Sequence, residues 1–97
     1  MVEIVWSTKA ASDLKNIIEF WNSKNKSIAY SKKLILLIQN KLKQISENPF
    51  SGIITDLDSV RSILFENYYL YYTFTSNKIL VLRIWDVRQN PLILNSK

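Results

Sequence analysis

Residues 60–88 read VRSILFENYYLYYTFTSNKILVLRIWDVR, and this stretch decides the fold. Aromatic and aliphatic side chains recur here with a period of two, the mark of strands with distinct faces. Three strands are predicted, Val60–Phe65, Tyr68–Thr75 and Lys78–Arg88, joined by the two-residue links Glu66-Asn67 and Ser76-Asn77. Asn tolerates the positive φ that tight hairpin turns demand. The stretch therefore reads as an antiparallel meander. Its last strand is apolar on both faces, with Leu80, Leu82 and Ile84 against Ile79, Val81 and Trp85, so it should be central and covered.

Upstream the period lengthens. Val2–Trp6 is short and rich in β-branched residues, and is predicted to be a first strand. Ser7 or Thr8 offers an N-cap oxygen, and Leu14, Ile17, Ile18 and Trp21 form the stripe of an amphipathic helix ending near Asn22–Asn25. Ser27 is placed to cap a second helix, whose stripe is Tyr30, Leu34, Leu37, Ile38, Leu42 and Ile45. Ile35 and Leu36 widen that stripe beyond what one partner surface needs. The helix must stop by about Asn48, because Pro49 disfavours helical geometry in the residue before it. Pro49-Phe50-Ser51-Gly52 is a turn cluster, and residues 53–59 are predicted to be a connection. The expected order is β-α-α-β-β-β. It builds a two-layer α+β domain over residues 1–97, with an antiparallel sheet and a helical hairpin packed on one face.

Composition narrows the chemistry. The 97 residues contain no Cys and no His, which excludes disulfides, thiol nucleophiles, imidazole acid–base pairs and most zinc sites. Gly52 is the only glycine, so there is no Gly-rich phosphate loop. Asp56 and Asp58 read as solvated loop acids, and neither a metal nor a cofactor is expected. The longest apolar run, Leu34–Ile38, is far too short to span a bilayer. The N-terminus lacks a basic n-region, so a cytoplasmic, membrane-free location is expected.

Charge is unevenly placed. The net charge is +5, from 13 Lys and Arg against 8 Asp and Glu. Residues 9–47 hold eight Lys and three acids, as on a solvated helical surface, whereas all three arginines, Arg61, Arg83 and Arg88, lie in the predicted sheet. A guanidinium stays charged at any working pH and grips phosphate or carboxylate oxygens bidentately. On alternation, Arg61 shares a face with Ile63 and Phe65, and Arg83 with Val81 and Trp85. With Tyr68, Tyr69, Tyr71 and Tyr72 interleaved, three arginines near one surface would suit phosphate or unpaired bases. Equally, they are ordinary strand residues, with Arg83 paired to Asp86 or Glu66.

Taken together, these segments resemble the RelE/ParE toxin superfamily. The resemblance covers nearly the whole chain: Val5-Trp6-Ser7, then Ala10, Ala11, Asp13 and Leu14 opening a helix; Ile45 to Gly52 as the turn into the sheet; Arg61 before the Tyr-rich strand; and the tail Ile84 to Pro91. That tail is similar to the ParE-like, plasmid-stabilisation branch. The resemblance implies the toxin of a type II toxin–antitoxin system, cytoplasmic, growth-inhibiting and neutralised by a cognate antitoxin. It leaves open a homodimer or a heterotetramer with the antitoxin. ParE-like members inhibit DNA gyrase, and this is the favoured expectation. The alternatives are a RelE-like, metal-independent endonuclease that cuts mRNA on the ribosome, or a degenerate member that only binds its antitoxin. Whether the chain is an enzyme depends on that choice. Where RelE-like enzymes carry arginines around the third strand, this chain has Leu64 and Tyr69, while Arg61 and Arg88 match better. The resemblance thus implies target binding by Arg88, Gln89 and Asn90, with Arg61, Arg83 and Arg88 as the candidates for any catalysis.

Overall fold

The computed structural model describes residues 2–89. The elements are β1 (Glu3–Trp6), α1 (Thr8–Asn25), α2 (Ala29–Glu47), β2 (Ile53–Ile54), β3 (Arg61–Phe65), β4 (Tyr68–Thr75) and β5 (Lys78–Asp86). They form one five-stranded sheet in the order β1-β5-β4-β3-β2, with the α1–α2 hairpin on one face. The expected two-layer α+β architecture is present, and the meander is antiparallel. β1 joins it in parallel, pairing Ile4 with Ile79 and Trp6 with Val81. That makes β5 an inner strand as expected, but the helices cover only one of its faces, and Leu80, Leu82 and Trp85 are half-buried.

Three local expectations change. The predicted 53–59 connection begins with a strand, as β-branched Ile53 and Ile54 pair with Ser62 and Arg61 at the sheet edge. Ser27 sits one residue early for the N-cap of α2: Ile28 holds that position without a side-chain cap, and Ser27 Oγ accepts only the Ala29 N–H, at 3.2 Å. In the β3–β4 link the positive φ of 51° falls on Glu66, whereas in the β4–β5 link Ser76 and Asn77 both adopt it, at 50° and 59°. The second link thus has the backbone that a two-residue hairpin prefers.

The core lies between the hairpin and the sheet. Leu34, Ile38 and Ile45 of α2 and Ala10 of α1 meet Leu70, Tyr72, Ile79 and Val81, all buried. Ile35 is half-buried and Leu36 is 61% exposed, so the apolar surplus of α2 points partly to solvent.

Two polar ties fasten this frame. Ser7 ends β1 and starts α1: its N–H donates to Val81 O, its Oγ donates to Leu82 O, and the same Oγ accepts the Ala10 N–H at 3.0 Å. The capping hydroxyl that the sequence predicts is therefore also a sheet contact. Across the fold, the buried Tyr72 hydroxyl donates to Pro49 O at 2.8 Å and accepts the Gly52 N–H at 2.9 Å. A Cβ on Gly52 would lie 2.5 Å from that hydroxyl, so the turn needs glycine for close approach.

Replacing Tyr72 with Phe strands the Gly52 N–H and the Pro49 carbonyl. The expected loss is about 2 kcal/mol in urea unfolding, with the unfolding slope unchanged. Gly52→Ala should destabilise by a similar amount, about 1–3 kcal/mol, through overpacking.

Candidate functional site

The site depends on an interruption in β5. Tyr71 pairs with Arg83 but Tyr72 pairs with Val81, so Leu82 has no partner in β4 and forms a bulge. Alternation shifts by one residue there. Ile79 and Val81 face the core before the bulge, and Ile84 does so after it. Arg83 therefore shares a face with Trp85 but not with Val81, which corrects the expectation from strict alternation. The guanidinium carbon of Arg83 lies 5.1 Å from the Trp85 ring centroid.

β1 ends at Trp6, which leaves the far half of β5 paired with β4 but without a strand on its other side. Asp13 of α1 fills the gap. Its Oδ2 accepts the Ile84 N–H at 3.0 Å and the Arg83 Nε–H at 2.8 Å, and its Oδ1 accepts from Arg83 Nη2 at 3.0 Å. The pair is largely shielded, with side chains 22% and 15% exposed. Hydrogen bonding to Asp13 raises the pKa of Arg83 against the opposing effect of burial.

Beyond β5 the chain turns. Val87 N–H donates to Asn67 O, and Gln89 N–H donates to Asp86 O. Strand pairing ends at Asp86, so Arg88 stands in a turn rather than in the predicted strand. The Asp86 carboxylate takes three donors from Arg88: the backbone N–H at 2.8 Å and Nε–H at 3.0 Å on Oδ1, and Nη2 at 2.6 Å on Oδ2. Those bonds, the side-chain contact foremost, hold the Asp86 pKa below its ordinary value. Between α1 and this end of β5 lies an open cleft of about 370 Å³, walled by both ion pairs, Phe20, Tyr68 and Trp85, with Gln89 at its margin.

The three candidate arginines do not converge. Arg83 and Arg88 line the cleft, but Arg61 is turned toward the 49–52 turn. Its Nη1 donates to Gly52 O at 2.9 Å and Phe50 O at 3.3 Å, and its guanidinium stacks 5.1 Å from the Phe50 ring centroid. The expected partners of Arg83 were also wrong: Asp13 takes Arg83, and Asp86 takes Arg88. The tyrosines divide between faces. Tyr68 and Tyr72 are buried against the helices, and Tyr68 accepts the Trp21 Nε1–H at 2.8 Å. Tyr69 and Tyr71 lie on the open face, their rings 6.0 Å apart. Burial pushes the Tyr71 and Tyr72 phenols up, away from the range useful for proton transfer at neutral pH. Gln89 is exposed beside Arg88, and Asn90 lies outside the described residues. Asp13, Asp86 and Phe20 were not among the sequence-predicted site residues. Of these, only the Asp86-Val87-Arg88 spacing carried a signal, as an acid two residues from a base.

A family model described as the ParE toxin of the type II toxin–antitoxin system parDE matches residues 4–91. The chain belongs to this ParE toxin family. A chain from the chromosomal ParDE toxin–antitoxin system of P. aeruginosa has the same fold. It superposes with a TM-score of 0.76 at 23% identity, over 91% of this chain and 98% of the other. No curated protein matches. No helix among the described residues of this ParE-family chain is long and apolar enough to cross a membrane.

Asp13→Ala would leave Arg83 and the Ile84 N–H without their acceptor. The expected cost is about 2–3 kcal/mol, less than for a fully buried ion pair because both side chains keep some solvent. Chemical denaturation measures it. The Asp86–Arg88 contact should persist above the ordinary carboxylate pKa and be lost as pH falls through the depressed Asp86 value, since protonation removes the acceptor charge. A pH titration followed by the Arg88 side-chain NMR signals reads that loss.

Proposed function

We propose that this ParE-family chain acts as a one-domain toxin that binds and inhibits DNA gyrase through Arg88, Gln89 and Asn90. A cognate antitoxin holds it in check. In this reading it works in the cytoplasm, arrests growth when the antitoxin is depleted, and so stabilises the plasmid or locus that carries the pair.

One observation favours a protein target over RNA cleavage: every arginine already has a partner within the chain. Arg61 is taken by turn carbonyls, Arg83 by Asp13 and Arg88 by Asp86. A nuclease without metal must place uncompensated cations on the phosphate that gains charge in the transition state. Here the cleft sets two arginines against two aspartates and is formally neutral. The excess positive charge lies on the solvated lysines of the hairpin. Polyanion binding relies on a positive field. A neutral cleft with aromatic walls suits a protein surface better.

The antitoxin has its own footing in exposed apolar surface. Leu36 is 61% exposed on the hairpin, and Ile53 and Ile54 are 72% and 73% exposed at the sheet edge. Ile53 and Ile54 lie side by side on a short edge strand, where an added strand or helix of a partner would cover both the apolar side chains and the open edge.

Induction without an antitoxin, followed by pulse-labelling over minutes, separates the targets. Thymidine incorporation should fail before amino-acid incorporation, and purified protein should inhibit supercoiling by gyrase. Amino-acid incorporation failing first, with transcripts cut on ribosomes, would overturn the gyrase reading in favour of the RelE-like one. Arg88→Ala should relieve the growth arrest with the melting temperature unchanged. Harmless expression of the wild type would instead mark a member that retains only antitoxin binding.

A further inference from the structure

The way Arg88 is held narrows what the cleft can recognise. Arg88 sits past the end of β5 with its side chain 63% exposed, whereas Asp86 is in the strand, paired with Tyr68, and its side chain is only 19% exposed. The anchored partner is therefore the carboxylate. A guanidinium offers five N–H donors in a rigid plane. Asp86 engages one edge of that plane, Nε and Nη2. Both donors of Nη1 and one of Nη2 remain, and one from each Nη group points off the edge between them as a second fork suited to a carboxylate.

Resting on the reading of Arg88 as a target-binding residue, we propose that Asp86 is its positioning residue, gripping one edge of the guanidinium so that the Nη edge takes a carboxylate of the target protein. Without Asp86, a long exposed side chain would have to surrender its rotamer freedom on binding, whereas with Asp86 it is already ordered. The local charge balance points to a carboxylate rather than to nucleic-acid phosphate. Asp86 cancels the charge of Arg88 within 3 Å, and Asp13 does the same for Arg83. Such a fork selects one planar acceptor by geometry, but it does not attract a chain of phosphates. Phe20, 53% exposed on α1, gives the incoming segment an apolar contact on the opposite wall.

The test compares full-length wild type with Arg88→Ala, Asp86→Asn and the double variant. Growth arrest on induction is scored against matched protein levels, and ¹H–¹⁵N spectra of the arginine Nε–H groups are recorded on purified protein. The Arg88 signal is assigned by its absence from Arg88→Ala. In wild type it should exchange slowly, and in Asp86→Asn it should exchange like a free arginine while the backbone spectrum stays folded. Asp86→Asn should lose roughly tenfold or more in toxicity, since misplacing a binding group costs up to roughly 100-fold. The double variant should be no weaker than Arg88→Ala, because Asp86 acts only through Arg88. Arg88→Ala as toxic as wild type would overturn the target-binding reading and this proposal with it. If Arg88→Ala is harmless but Asp86→Asn is fully toxic, the positioning role alone fails. A fast-exchanging Arg88 signal in wild type would also overturn it. Binding of a short RNA or DNA duplex at physiological salt that is lost in Arg88→Ala would assign the fork to phosphate and overturn the carboxylate.

Discussion

Asp13 joins the two layers of this protein. One carboxylate on α1 accepts a backbone N–H from β5 and both ends of a bidentate arginine contact from the same strand. The bonds are needed because β1 stops at Trp6 while β5 runs on to Asp86. An inner strand that loses its neighbour halfway exposes backbone groups that must be satisfied. Ser7 takes the first of them and Asp13 the next, so α1 continues the edge-covering work of β1 with side chains. The direction of α1 across the sheet, and hence one wall of the cleft, follows from that continuation.

The meander was legible in the sequence because its period of two is carried by large residues. Tyr68, Leu70 and Tyr72 must lie on one side and Tyr69 and Tyr71 on the other, and they do. The helices were legible for the same reason at their own period. Ser7 was one of the two cap residues that the sequence offered, with Thr8, and its second role was not legible. The parallel pairing of β1 with β5 was not legible, since no turn or link encodes a contact between segments over seventy residues apart. Nor was the short strand at Ile53–Ile54, whose pairing depends on where the Tyr72 hydroxyl holds the preceding turn.

The site was less legible than the fold. Strict alternation put Arg83 with Val81, and one unpaired residue in β5 undid that assignment. The ion pairs were missed for a related reason. Arg83 and Asp13 are seventy positions apart, and only tertiary structure brings them together. Arg61 illustrates the reverse error. A strand arginine near tyrosines invites a phosphate, yet Arg61 meets the free carbonyls of Phe50 and Gly52. Those carbonyls belong to the turn that the Tyr72 hydroxyl also fixes, so hydroxyl and guanidinium together hold α2 to the sheet edge.

The bulge at Leu82 has a consequence at a distance. A strand of strict period two that buries Ile79 and Val81 would also bury positions 83 and 85, and would send Asp86 and Arg88 to the open face. The extra residue reverses this. Ile84 enters the core, Trp85 and Val87 go to the open face beside Tyr69 and Tyr71, and Asp86 and Arg88 come to the helix side. Only there do they share a cleft with Phe20 and Asn16 of α1. The same shift sets Arg83 beside the edge that β1 vacates, within reach of Asp13. One unpaired residue thus supplies the ion pair that docks α1 and turns the Asp86–Arg88 pair toward the wall that α1 provides. Pairing Leu82 into a regular ladder, with every residue kept, would turn Arg83 toward the core and Asp86 and Arg88 to the open face, and would break both together.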